Sequence, residues 1–119
     1  MTTDFVHVGT EATVAQAVQG LRDFDGDPES ITEVYLLGEK RVLQGTVGLA
    51  RLVMAQPETR VSVLAEPRVI SCPADLHQNE LAELFDKYNL HALPVVDSQG
   101  RMVGVVQADH VISLLREKL

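Results

Sequence analysis

The chain repeats itself. Each half runs in the same order: an extended apolar segment, an amphipathic helix, two apolar strands joined by a turn, and a second helix. The clearer copy ends the chain. Residues 93–96 close an apolar strand, and Asp97-Ser98-Gln99-Gly100 has turn composition, with Gly100 free to take positive φ. Residues 102–106 form a second strand interrupted by Gly104. From Gln107 the spacing of Val111, Leu114 and Leu115, widened by Ile112, predicts a helix.

The first half gives the same signals more loosely. Phe5, Val6 and Val8 are extended. Thr13 and Gln16 have capping-box spacing before a helix face of Val14, Ala17, Val18 and Leu21. Strands are predicted over 34–37 and 42–47, the second again with an internal glycine, Gly45. A helix begins at Leu49, Leu52 and Val53 and stops before Pro57. In the second half, 69–72 repeats the extended segment. A helix over 75–89 follows, with Asp75 as its cap and Leu81, Leu84, Phe85 and Tyr88 as its buried stripe.

Val6 aligns with Ile70 at an offset of 64 (70 minus 6), and Gly45 with Gly104 at 59 (104 minus 45). The first half therefore holds five extra residues, for which the polar loop 25–29 is the natural place. Halves this small bury too little surface to stand alone. The expected fold is α+β: two β-α-β-β-α units, each a three-stranded sheet with two helices on one side, packed with pseudo-two-fold symmetry. The boundaries read 1–56 for the first repeat, 57–67 for a connector and 68–119 for the second repeat. Val61, Val63 and Leu64 make the connector too apolar for a free linker, so it is expected to dock as a strand or short helix.

Composition narrows the function. Aromatics are 4% and Trp is absent, so the core must be aliphatic. A net charge of −7 argues against nucleic acid. A single cysteine, Cys72, excludes an internal disulfide and reads as a small buried hydrophobe. No apolar run approaches the ~18–20 residues of a membrane span, and the start lacks signal-peptide features. The expectation is a cytoplasmic chain with no direct membrane insertion. The four histidines show no metal-ligand spacing. No nucleophile elbow, phosphate loop or dinucleotide fingerprint occurs, so the chain is expected to be non-catalytic.

Leu93-Pro94-Val95-Val96-Asp97, a turn, then Gly100-Arg101-Met102-Val103-Gly104-Val105-Val106 and a helix resemble the core of a CBS domain. Two copies in tandem resemble a CBS pair, or Bateman module. The run from Val69-Ile70-Ser71-Cys72-Pro73 through the helix to Val96-Asp97 is similar to the cytosolic CBS pair of MgtE-type magnesium channels. That resemblance implies a regulatory module that senses intracellular Mg2+ and restrains a pore. It implies a homodimer formed through helices, with 81–88 and 111–115 as candidate faces, and partner N-terminal and transmembrane domains that are missing from this chain. The alternatives are a stand-alone adenosine-nucleotide sensor acting on a soluble partner, and a ligand-free dimerisation scaffold.

CBS pairs commonly bind ATP or AMP between the copies. The resemblance would line that cleft with Val6, Ile70, Ala92 and Pro94. It also calls for a hydroxyl three residues, and an Asp six residues, after each strand glycine. Those positions hold Gln107 and His110 in one copy and Gly48 and Arg51 in the other, so the ribose carboxylate is missing from both. For Mg2+ the candidates are Asp97 and Asp109, oxygen ligands for a hard cation. The acidic stretch Asp23, Asp25, Asp27 and Glu29 lacks the spacing of a calcium loop and reads as solvated.

Overall fold

The structure, a computed structural model, describes residues 3–108. It divides into two compact units, residues 4–69 and the residues from 70 onward.

The first unit is built on β1 (His7–Gly9), β2 (Glu33–Leu37) and β3 (Leu43–Gly48), in sheet order β1-β2-β3. β1 pairs parallel with β2, across the helix α1 (Val14–Arg22); β2 and β3 form an antiparallel hairpin followed by α2 (Leu49–Met54). Strand alternation sends Val34, Leu36 and Val47 to one face. There they meet Val6, Val14, Ala17, Leu52 and Val61 in a single aliphatic core. The extra residues of this half sit where expected: a short 3-10 turn, Pro28–Ser30, capped by Asp27, occupies the loop between α1 and β2.

The connector is part of this unit. A four-residue helix, α3 (Val61–Leu64), places Val61 in the core with no exposed surface. A helix leaves its first N–H groups without internal partners. At α1 those donors are taken up locally: Val14 donates to the Thr59 carbonyl, Ala15 to the Pro57 carbonyl, and Gln16 to the Thr13 hydroxyl. The Gln16 side chain returns a bond from the Thr13 N–H, completing the capping box. Further on, Glu66 closes the outer edge of β3, its N–H donating to the Thr46 carbonyl at 2.8 Å and its carbonyl accepting from the Thr46 N–H at 3.2 Å.

The second unit repeats the plan with β4 (Cys72–Pro73), α4 (Gln78–Tyr88), β5 (Ala92–Val96) and β6 (Met102–Gln107), in sheet order β4-β5-β6. Cys72, Phe85, Leu93, Val95 and Val106 form its core. The predicted helix at 75–89 starts three residues later than expected. Its cap is His77, whose Nδ1 accepts from Asn79 N–H, rather than Asp75. It ends on Asn89 in the left-handed conformation, one of the few non-glycine residues at ease there. The final helix expected from Val111, Leu114 and Leu115 lies outside the described residues.

Register makes the repeat quantitative. Every β2–β3 pair reappears in β5–β6 at an offset of 59: Glu33 with Gly48 becomes Ala92 with Gln107, and Leu36 with Gly45 becomes Val95 with Gly104. The irregularity between Leu36 and Leu37 recurs between Val95 and Val96. β1 reappears as β4 at an offset of 64 while its partner strand keeps 59, so Val8 facing Leu36 becomes Cys72 facing Val95.

Candidate functional site

The residues of β2 that point away from the core are Glu33, Tyr35 and Leu37. Tyr35 lies opposite His7 on one side and Thr46 on the other, so His7, Tyr35 and Thr46 form a row across this face. Phe5 stands edge-on to Tyr35, ring centres 5.8 Å apart, and tilted against His7 at 5.6 Å. The Glu33 carboxylate anchors the row. One oxygen accepts from the Tyr35 hydroxyl at 3.2 Å and the other from the Thr46 hydroxyl.

Burial shapes the electrostatics. Tyr35 is 2% exposed. Burial first, then the charge of Glu33 and its hydrogen bond, push the phenol far above its ordinary value, so it stays a donor. His7 is pushed below its ordinary value by burial and by the neighbouring Arg41 cation, so its ring is neutral near pH 7. The face thus offers a carboxylate acceptor, a neutral imidazole and the partly exposed Phe5 ring, with the Tyr35 ring buried behind them. Such a set can stack a flat ring and accept hydrogen bonds from hydroxyl or amine groups.

The second sheet keeps the backbone and loses this chemistry. At the positions of Glu33, Tyr35 and Thr46 it has Ala92, Pro94 and Val105, all buried. Sequence reading followed the positions after each glycine and passed over Glu33, Tyr35 and Thr46. Aligning the strands at 59 sets Glu-x-Tyr against Ala-x-Pro, and that contrast was the available signal.

The sequence-derived candidates lie on several elements of the two units. Val6 is in the core of the first unit, and Ile70 packs on the helix-side core of the second. Ala92 and Pro94 are buried but lie on the other face of β5. Gly48 caps α2, and Arg51 is exposed in its last turn. Gln107 ends β6, while Asp109 and His110 fall outside the described residues. The Asp97 carboxylate holds its own turn: Oδ1 accepts from Gln99 N–H at 2.9 Å and Arg101 N–H at 3.0 Å, and Oδ2 from Arg101 Nε at 2.7 Å. Partial desolvation acts to raise this carboxyl, but the three donors and the guanidinium charge outweigh it and hold it below the ordinary aspartate value. Among the described residues no three His, Cys, Asp or Glu side chains gather as a metal site. No helix among them is long and apolar enough to cross a membrane.

A different surface lies on the helices. Val14, Val18, Leu52, Val53 and Ala55, together with the polar Gln19 and Arg22, line a groove of about 360 Å3 between α1 and α2. Val53, and Met54 next to it in sequence, are 80% and 86% exposed.

Comparison with known proteins agrees with this geometry. Residues 61–117 match the CBS domain family model. The chain is 38% identical over 97% of its length to the magnesium transporter MgtE of Thermus thermophilus, and 35% identical over 97% to that of Bacillus subtilis. It spans 26% of the length of each. The solved structure of the cytosolic domain of the Mg2+ channel MgtE in complex with ATP superposes at a TM-score of 0.90, with 38% identity, over 96% of this chain and 46% of that one.

Proposed function

We propose that the chain, whose residues 61–117 match the CBS domain family and whose fold is that of a CBS pair, is the regulatory module of an MgtE-type magnesium transporter. The match of 97% of the chain to 26% of the length of a magnesium transporter, at 38% identity, carries this reading. In it the pair sits on the cytosolic face, does no catalysis, senses intracellular Mg2+ and passes the signal to a pore. A ligand does this only if its affinity differs between two arrangements of the module. The pair works as a homodimer, and the groove between α1 and α2 with exposed Val53 and Met54 supplies apolar surface for that contact.

The fit of Mg2+ to the described residues is poor. Asp97 is engaged by three donors, and no three-residue cluster is present among these residues. In the proposed reading Asp97 and Asp109 contribute weakly, and other domains of the larger protein complete the cation's shell with oxygen ligands. Adenosine-nucleotide binding is the second reading. The face of Phe5, His7, Tyr35 and Glu33 favours it, since it supplies rings and a carboxylate where the usual ribose Asp is missing.

Amide shifts of the isotope-labelled 119-residue chain, titrated with Mg2+ and separately with ATP, test both. Saturable movement around Asp97 and Asp109 with Mg2+ is expected for the sensor. Movement confined to His7, Glu33 and Tyr35 with ATP would instead make nucleotide the ligand. No saturable shift with either would mean that this chain by itself holds neither ligand.

A further inference from the structure

We infer that Thr46 is a coupling residue, tying the Glu33–Tyr35 face to the end of the connector through one continuous hydrogen-bonded path. The path has four links. Tyr35 and Thr46 both donate hydroxyl protons to Glu33. The backbone of Thr46 holds Glu66 through two bonds, at 2.8 and 3.2 Å. The Glu66 side chain then accepts from Arg68 N–H at 3.3 Å. Arg68 stands one residue before the end of the first unit at Val69.

Three features make this a coupling path rather than a run of chance contacts. Thr46 lies in a pair with Tyr35, and its own N–H and carbonyl are the groups that bond Glu66. One residue thus faces the ligand side with its hydroxyl and the connector with its backbone. Next to it, Gly45 lets the connector lie close: a Cβ there would stand 3.1 Å from both the Ala65 Cβ and the Glu66 carbonyl oxygen. The connector can therefore settle at this edge only while β3 keeps its position. Finally, the second sheet has Val105 and Ala92 at the places of Thr46 and Glu33, so the polar link belongs to the first unit alone.

A group that drew the Glu33 carboxylate toward itself would compete with Thr46 for it. The Thr46 side chain would be released, and the hold on residues 65–68 would weaken. This goes beyond the choice between Mg2+ and nucleotide, and its test needs neither.

The test is amide hydrogen exchange of the labelled 119-residue chain, read by NMR, for the wild type, Glu33→Ala, Thr46→Val and Thr46→Ser. Glu33→Ala is the informative variant, because Glu33 touches neither Glu66 nor Arg68. Exchange at the Glu66 and Arg68 amides is expected to rise at least about fivefold, with Leu36 and Val47 changed by less than about twofold. Thr46→Val should do the same and Thr46→Ser should restore wild-type exchange. Unchanged Glu66 and Arg68 amides in Glu33→Ala would overturn the inference. So would an equal rise throughout residues 4–69, or a Thr46→Ser variant that behaves like Thr46→Val. If one of Glu33→Ala and Thr46→Val fails to fold, the other carries the test, and unchanged exchange at Glu66 and Arg68 in it would overturn the inference.

Discussion

The turn between β2 and β3 holds Arg41 at φ 66°, and the equivalent position in the second unit, 59 residues on, is Gly100 at φ 81°. The fold therefore needs a left-handed residue here, and only one copy supplies glycine. Replacing Arg41 with Gly should stabilise the first unit. A left-handed conformation costs an ordinary L-residue roughly 1–2 kcal/mol. Against that, glycine loosens the unfolded chain by roughly 0.5–1 kcal/mol. The Arg41 side chain is exposed and, among the described residues, makes no ion pair or hydrogen bond, so little else is lost. The net gain is about 0.5–1 kcal/mol, or roughly 2–8 °C in the melting temperature of a unit this size. The variant carries a second readout. Burial and the Arg41 cation together hold the His7 pKa below its ordinary value, so removing the cation should move it upward. Thermal melting followed by circular dichroism gives the first quantity, and the ring-proton shifts of His7 against pH give the second. A melting temperature equal to or below the wild type would refute the strain argument. An unmoved His7 would refute the electrostatic one.

Gly45→Ala should destabilise by about 1–2 kcal/mol in urea unfolding, because the new methyl meets the Ala65 Cβ and the Glu66 carbonyl at 3.1 Å and backbone must give way. Leu52→Ala, at 2% exposure, should cost about 3 kcal/mol by the same assay, through lost burial and the cavity left behind. Thr13→Ala removes the acceptor for Gln16 N–H and should cost about 1 kcal/mol, with Thr13→Ser near neutral. The Asp97 carboxyl is held below its ordinary value, so it contributes stability above the unfolded aspartate value that is lost as pH falls through the lowered one. Asp97→Asn should flatten that acid limb in unfolding measured from neutral to low pH.

The fold was legible where local chemistry and burial agreed. Thr13 and Gln16 announced a capping box that formed bond for bond. Gly45 and Gly104 fell in equivalent registers, because a glycine inside an otherwise aliphatic strand is costly without a reason to be there. The start of α4 was misplaced because Asp75 and His77 can both cap, and a periodic stripe does not say which turn comes first. The docking of the connector was readable from Val61, but its partners were not: Pro57 and Thr59 meet α1 through carbonyls, which carry no side-chain signal. The site was the least legible part. Val6 and Ile70 are apolar and equivalent, which marks a core as well as a cleft, and each packs on the core of its own unit.

The two sheets share one backbone pattern and differ in what they present. Constant offsets of 59 and 64 mean that turn, bulge and strand glycine are set by the repeat itself. Side chains facing away from the helices lie outside the two aliphatic helix-side cores, although Tyr35, Ala92, Pro94 and Val105 among them are buried. In the first unit, Glu33, Tyr35, His7 and Thr46 collect polar and aromatic groups on one face. The second unit fills the same places with Ala92, Pro94 and Val105. A ligand that recognises hydroxyls, amines or rings should therefore engage the first unit, and the pair should bind one such molecule rather than two. Isothermal titration with ATP gives that count directly. One site per chain, lost in Glu33→Ala, fits the asymmetry, whereas two equivalent sites would mean that the face chemistry of the first unit does not select the ligand.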